Sequence, residues 1–330
     1  MKKNIIVTVT LIFMLTLFLV PGVLYSAGEK YPTKPIMWLC PWGPENESVT
    51  MGRIIGEEMG KTLGVEVTVN AMPGGSGSKA LKHVLAQPAD GYLILDAWVA
   101  PLIFVVLNRP DIGYDHNDFV PIGHTTFMPF TLVVREDAPW QDLGEFVEYA
   151  REHPGMKYNA TGAISVPHAV MATFLKKAGI RANGVPYAGL AGGIPDFLGG
   201  TLDFTIGNFW VMKVYGEQTR TLCIFLDERH PWASDTPTAK EQGFDPGFGE
   251  AGMGWSSLAV KKGTPDNVVE TLRDAFKKAA TSDSVISKCK ELGYWLVYKN
   301  PEDTYKLWEQ SARALKEGIE IIQWEKEQFE

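Results

Sequence analysis

The signatures of the common enzyme classes are missing from this chain. Its 330 residues contain no H-E-x-x-H, no C-x-x-C, no G-x-S-x-G and no G-x-x-x-x-G-K-[ST]. Zincin, thioredoxin-like, α/β-hydrolase and P-loop chemistries therefore lack their sequence marks. The six histidines are scattered singly, which leaves no ligand spacing for a metal, and no nucleophile sits beside a base at a recognisable interval. Neither a cofactor nor a metal is expected, and the chain reads as non-enzymatic. Basic residues are also short, at 31 Lys and Arg against 39 Asp and Glu for a formal net charge of −8. That balance excludes a nucleic-acid partner, whose binding is driven by clustered Lys and Arg. Cysteine is scarce, with three in all, so no disulfide framework is present. Cys40 and Cys223 lie in strand-like stretches and Cys289 in a helical one. They read as three buried thiols, with one disulfide plus a leftover thiol as the alternative.

Long hydrophobic runs are confined to one. Lys2 and Lys3 precede an apolar stretch from Ile5 to Val20, which stops at Pro21-Gly22 before Ser26-Ala27-Gly28. At roughly 16 residues it falls below the ~20 needed to span a bilayer, and the pattern predicts a cleaved signal peptide over 1–28 and a periplasmic protein. Loss of Lys2 and Lys3 would leave the mature chain more acidic still. Its length suits two domains with enough core to need no covalent staples.

From Lys30 onward, short apolar runs alternate with amphipathic helical stretches and Gly/Pro turns, the pattern of βα units. Strands are predicted over Ile36–Cys40, Val65–Asn70 and Tyr92–Ala97, with helices over Thr50–Leu63 and Lys79–Ala86. Phe130–Val134 opens a second series: a helix over Leu143–Arg151, a strand near Lys157–Ala160, a helix over His168–Ala178 and a strand at Phe204–Ile206. Trp255–Val260 reads as a strand, followed by Thr264 as a cap and Pro265 as the start of a helix to about Ala280. A last helix is predicted over roughly Thr304–Gln328. The fold class is α/β, without internal repeats or a low-complexity linker. Gly75-Ser76-Gly77-Ser78-Lys79-Ala80, with Asp96 about 20 residues on, imitates a dinucleotide fingerprint. The imitation fails because Ala71-Met72-Pro73-Gly74 separates the strand from the glycines that would have to follow it directly. What remains are Gly-rich loops leading into helix N-termini, which suit anions.

Several of these segments, taken in order, are similar to motifs of the receptors of tripartite tricarboxylate transporters, the Bug-type proteins. Tyr31-Pro32-Thr33-Lys34-Pro35-Ile36 resembles the opening Y-P-x-K-P-I, Asn70 to Gly77 resembles N-R-P-G-A-G-G with one extra residue, and Asp90-Gly91-Tyr92 matches D-G-Y. Val185-Pro186-Tyr187, Asp196 to Asp203, Thr236 to Gly243 and Gly263-Thr264-Pro265 resemble V-P-Y-K-G, D-L-L-G-G-Q-V-D, V-P-T-x-x-E-x-G and G-T-P. The resemblance covers nearly all of the chain after the apolar leader.

That resemblance implies a periplasmic-binding-protein-like fold of two α/β lobes joined by crossing hinge strands, with a ligand cleft between them. Lobe 1 would comprise 29–130 with 250–330 returning to it, and lobe 2 would comprise 131–249. It also implies a monomer that delivers a small carboxylate to the membrane subunits of a tripartite transporter. Ligand-binding residues carried over by family position are Trp42, Gly43, Pro44, Glu45, Asn46, Glu47, Ser48 and Val49 in the first loop. In the second half they are Thr161, Gly162, Ala163, Ser165, Val166, His168, Tyr187 and Asn208. Glu45 and Asn46 replace family glycines, and Val49 replaces an acid that meets a ligand ammonium in relatives. Glu45 and Glu47 disfavour a tricarboxylate by like-charge repulsion. The ligand predicted is a mono- or dicarboxylate with an apolar or aromatic body against Trp42 and Val49. The rival readings are an exported hydrolase using Ser48, Ser165 and His168, and a binding protein used for sensing.

Overall fold

A computed structural model describes residues 30–162, 164–187 and 189–329; the predicted signal peptide lies outside them. Two mixed sheets form the frame. Edge to edge, the first holds β11 (Leu296–Lys299), β4 (Phe119–Met128), β10 (Gly254–Lys261), β3 (Leu93–Trp98), β1 (Ile36–Cys40) and β2 (Val67–Ala71). The second holds β7 (Ala182–Val185), β6 (Met156–Asn159), β8 (Phe204–Gly207), β5 (Thr131–Arg135) and β9 (Thr219–Ile224). In the first, β1, β2 and β3 are parallel. They are joined by α1 (Glu47–Leu63) and α2 (Ser78–Ala86). A π-helical turn over Ala100–Phe104 and the short α3 (Val105–Asn108) lead toward β4. In the second, β6 is parallel to both β7 and β8. β5 runs antiparallel between β8 and β9. Helices α4 (Leu143–Glu152), α5 (Val166–Ala178), α6 (Leu190–Leu198) and α7 (Phe209–Tyr215) accompany it.

The chain changes sheets twice. β4 passes through Pro129-Phe130 into β5, and the segment after β9 returns to β10. The two crossings touch: Phe225 N–H donates to the Phe130 carbonyl at 2.9 Å, and the Phe130 N–H meets Met253 Sδ at 3.3 Å. β10 then lies antiparallel between β3 and β4. After it come α8 (Asp266–Ala280), α9 (Asp283–Glu291), β11 and α10 (Pro301–Phe329).

Local chemistry sets the helix ends near the strand tips. Asn46 Oδ1 accepts from the Ser48 amide at 3.0 Å to start α1, which ends at Gly64 with φ +71°. Ser165 caps α5, which ends at Gly179 with φ +73°. Both follow the side-chain cap and left-handed glycine pattern. Thr264 departs from expectation: its hydroxyl donates back to the Lys261 carbonyl at 2.7 Å, and Pro265 itself takes the cap position of α8. Glycines 74, 75 and 77, which imitated a nucleotide loop, all have positive φ. A Cβ on Gly77 would meet Pro101 at 2.9 Å and Pro41 at 3.2 Å, so this glycine permits a close approach of three loops.

Between α1, α8 and the first sheet, one core cluster includes Ile36, Trp38, Ile55, Leu272 and Phe276. A larger one is continuous from Leu39 and Leu95 at the first sheet to Leu132, Tyr158 and Phe204 at the second. Helix α10 belongs to both halves of that cluster. Its first part is tied to β10 by the indole N–H of Trp308 on Ser257 Oγ (3.1 Å) and that of Trp255 on Ser311 Oγ (3.0 Å). Its later part lies on α5, with Gly318 against Ala169. All three cysteines are free and buried, which closes the disulfide alternative.

Candidate functional site

The carboxyl ends of β1, β6 and β8 feed the loops that start α1, α5 and α7, where an α/β protein presents ligand sites. The first loop rests on a buried polar knot. Asp96, only 1 % exposed near the end of β3, accepts from the indole N–H of Trp98 at 2.9 Å. The polar side chains of Ser256, Ser48 and Cys40 stand around its carboxyl and favour its ionised form. Ser48 Oγ and Cys40 Sγ share a hydrogen bond of 2.7 Å, and Ser256 Oγ bonds Thr125 Oγ1. Burial pushes the Asp96 carboxyl up to about 6, against the pull of those groups, and raises the Cys40 thiol to about 12. The half-buried Trp42 packs edge to face on Trp98, with centroids 6.2 Å apart. Glu45 folds back over Gly43, where any Cβ would collide with its carboxylate.

The second loop is organised by Asn159, which is fully buried. Its Oδ1 accepts from the Thr161 amide at 2.8 Å and its Nδ2 donates to the Leu190 carbonyl at 2.9 Å. Thr161 takes φ +47°, a conformation uncommon for a residue with a Cβ, and its hydroxyl bonds Ser165 Oγ at 2.8 Å. Ser165 Oγ in turn accepts from the His168 amide at 3.2 Å.

Elements of both sheets enclose a chamber of about 550 Å³, a size usual for small-molecule sites. One wall carries Glu47, Met51, Phe127, Met128, Tyr294 and Trp295, and the other Asn208, Phe209, Trp210, Met212, Lys213 and Trp232. Asn208 caps α7, accepting from the Val211 amide at 3.2 Å. Burial raises the carboxyl of Glu47. Behind the chamber, His230 is 1 % exposed and joins the walls: its ring stands perpendicular to Trp295 at 3.6 Å and 4.3 Å from Phe209. Nδ1 accepts from the Trp232 amide at 2.9 Å, so the neutral ring carries its proton on Nε2. Burial holds His230 down at about 4. Among the described residues no group of His, Cys, Asp and Glu could hold a metal.

A family model described as "Tripartite tricarboxylate transporter family receptor" matches residues 51–323. The chain belongs to that family. The UPF0065 protein of the tcbD-tcbE intergenic region of a Pseudomonas species is 29 % identical over 272 residues, 80 % of this chain and 79 % of that one. A TctC solute-binding protein from Polaromonas, solved without ligand, superposes with a TM-score of 0.76 at 26 % identity, covering 88 % of this chain and 99 % of that one. MatC from Rhodopseudomonas palustris, solved with bound malate, gives a TM-score of 0.68 at 25 % identity, covering 87 % and 100 %. Family and fold are those of periplasmic solute-binding receptors rather than enzymes.

Of the family-derived positions, the chamber brings together Glu47 and Asn208. Ser48 and Val49 are buried behind the first loop, at 2 % and 1 % exposure. Gly43, Pro44, Glu45 and Asn46 form the turn ahead of α1, with the Asn46 amide on the Gly43 carbonyl at 3.0 Å. Thr161, Gly162, Ser165 and Val166 stand together at the start of α5, while Ala163 lies outside the described residues. His168 is buried, with Nε2 at 3.1 Å from where a Cβ on Gly184 would lie. The hydroxyl of Tyr187 donates to Asp196 at 2.6 Å. Ser48 bonds within the Asp96 knot on the first sheet, whereas Ser165 and His168 share the first turn of α5 on the second. The aromatic residues of the chamber and the two buried organisers, Asp96 and Asn159, were missed by sequence reasoning. In the sequence, Asp96 stands out only as part of an imitation nucleotide fingerprint.

Proposed function

We propose that this chain is an exported receptor that captures a small carboxylate and hands it to the membrane subunits of a tripartite transporter. The reading takes the protein as a monomer cleaved after a signal peptide over 1–28. Its first lobe would be 29–130 with 250–330, and its second 131–249. The observation that carries it is the chamber lined from both sheets, because a receptor that closes on its ligand needs contacts from both sides. The bound malate of MatC supports carboxylate as the ligand class. Lys213 on the chamber wall supports the anion, as do the amides of the Ser165-capped start of α5 at the positive end of a helix dipole. Glu47 works against extra negative charge. It lines the chamber and is partly desolvated, so each added ligand carboxylate nearby costs on the order of 1 kcal/mol. A mono- or dicarboxylate is favoured over a tricarboxylate.

A thermal-shift screen of carboxylates tests this reading. A true ligand at about 100 times its Kd adds about 2.7 kcal/mol of stability, which raises the Tm by several degrees. A screen in which no carboxylate moves the Tm, or in which citrate moves it most, would overturn the assignment.

A further inference from the structure

Six aromatic side chains line the chamber, three from each side: Phe127, Tyr294 and Trp295 face Phe209, Trp210 and Trp232. Within each wall the rings are mutually braced, Phe127 to Trp295 at 5.9 Å and Phe209 to Trp232 at 6.1 Å. His230 pins the walls together from behind. The mouth is unusually apolar for a surface in water: Trp210 is 42 % exposed, Trp232 36 % and Leu292 52 %. Val214, one turn beyond Trp210, is 51 % exposed. Exposed apolar side chains gathered on the lining of a cavity mark a site that an apolar body covers. Charge is scarce by comparison, since among the described residues Glu47 and Lys213 are the only Asp, Glu, Lys or Arg on the chamber wall.

From this we infer that the ligand is an aromatic monocarboxylate, its ring held between the two aromatic walls and its carboxylate directed away from Glu47. The inference rests on the receptor reading above and narrows it. Ring faces favour an aromatic body over a saturated one of equal size, because offset and edge-to-face contacts add to simple burial. A single carboxylate matches Lys213, the one Lys or Arg on the chamber wall among the described residues. A second one would share the chamber with Glu47 without a further basic side chain on its wall. The rims supply apolar area that a bare dicarboxylate such as malate leaves uncovered.

Calorimetric titration of the full mature chain with 3-phenylpropanoate, 3-cyclohexylpropanoate, phenylalanine and malate tests each element separately. 3-Phenylpropanoate should bind about tenfold more tightly than its saturated counterpart, in line with the extra worth of ring contacts. Trp210→Leu and Trp232→Leu should each erode that preference, and Trp232→Tyr should retain most of it, with thermal melts confirming that the exposed positions leave folding intact. Equal affinity for the saturated and aromatic acids would overturn the aromatic claim. Tighter binding of malate would overturn the inference and leave the receptor reading standing. Preference for phenylalanine would assign Glu47 to a ligand ammonium and overturn the monocarboxylate claim. Failure of all four, together with failure of the wider carboxylate screen, would overturn both.

Discussion

Asp96 occupies a place where a negative charge is costly. It is surrounded by β1, β3, β10 and the start of α1, and the polar groups around it are neutral: the Trp98 indole that donates to it, and Ser256, Ser48 and Cys40. Desolvation outweighs them and lifts its carboxyl from 3.8 to about 6, which corresponds to roughly 3 kcal/mol of preference for the neutral form. A raised acid stabilises the fold fully below the unfolded-state value, and that contribution is lost as pH rises through about 6. The buried histidines have the opposite sign, because burial lowers His124 and His230, and their contributions are lost as pH falls. Asp96→Asn keeps the shape and an acceptor for Trp98 but cannot ionise. Its stability relative to wild type should climb by roughly 3 kcal/mol between about pH 4 and about pH 7. Urea unfolding across that range measures the difference, in which the histidine contributions cancel; a flat difference would show that Asp96 is not desolvated. Neither Asp96 nor Asn159 could be recognised as an organiser from sequence. Each depends on residues far along the chain: Asp96 lies among Cys40, Ser48 and Ser256, and Asn159 bonds the Leu190 carbonyl.

At the scale of elements, the C-terminal ends of the helices were the most legible. α1 and α5 stop at Leu63 and Ala178 as predicted, each before a left-handed glycine, but Asn46 and Ser165 start them three and two residues ahead of the expected Thr50 and His168. Elements decided by tertiary pairing were not legible: β7 is Ala-Asn-Gly-Val, turn-like in composition, and becomes a strand because it runs parallel to β6. Gly318 poses a related problem inside α10. In an isolated helix, replacing it with alanine would gain about 1 kcal/mol. Here a Cβ would stand 2.8 Å from Ala169 Cβ and 3.3 Å from its carbonyl oxygen, so α10 and α5 would have to part. Gly318→Ala should therefore destabilise the protein by about 1–3 kcal/mol, the usual cost of overpacking. Adding Ala169→Gly should recover part of that loss. A thermal melt of the single and double variants decides it, and a stabilised single variant would mean that the helices separate freely.

Across the whole molecule, the α/β class and the two strand series could be read from hydrophobic patterning. The aromatic chamber could not, because Phe127, Phe209, Trp232 and Trp295 come from four separated segments and meet only when both sheets are in place. What keeps those sheets in place is a continuous core rather than a tether. The larger buried cluster extends through β1 and β3, across the paired crossings at Phe130 and Met253, into β5, β6 and β8, and along α10. A protein joined in this way should unfold in one calorimetric transition despite its two sheets. Leu315, Gly318 and Ile322 fall at helical spacing on the face that α10 turns to α5, and Ile322 is fully buried. Ile322→Asp would place a carboxylate there without a counter-charge, at a cost of several kcal/mol. The bonds of Trp308 and Trp255 to serines, which hold the first part of α10 to β10, would be untouched. The variant should thus weaken the junction more than either sheet, and scanning calorimetry should resolve two transitions, the lower accompanied by exposure of the aromatic residues around α5. A single transition displaced to lower temperature would place the coupling in the β4–β5 and β9–β10 crossings instead of in the C-terminal helix.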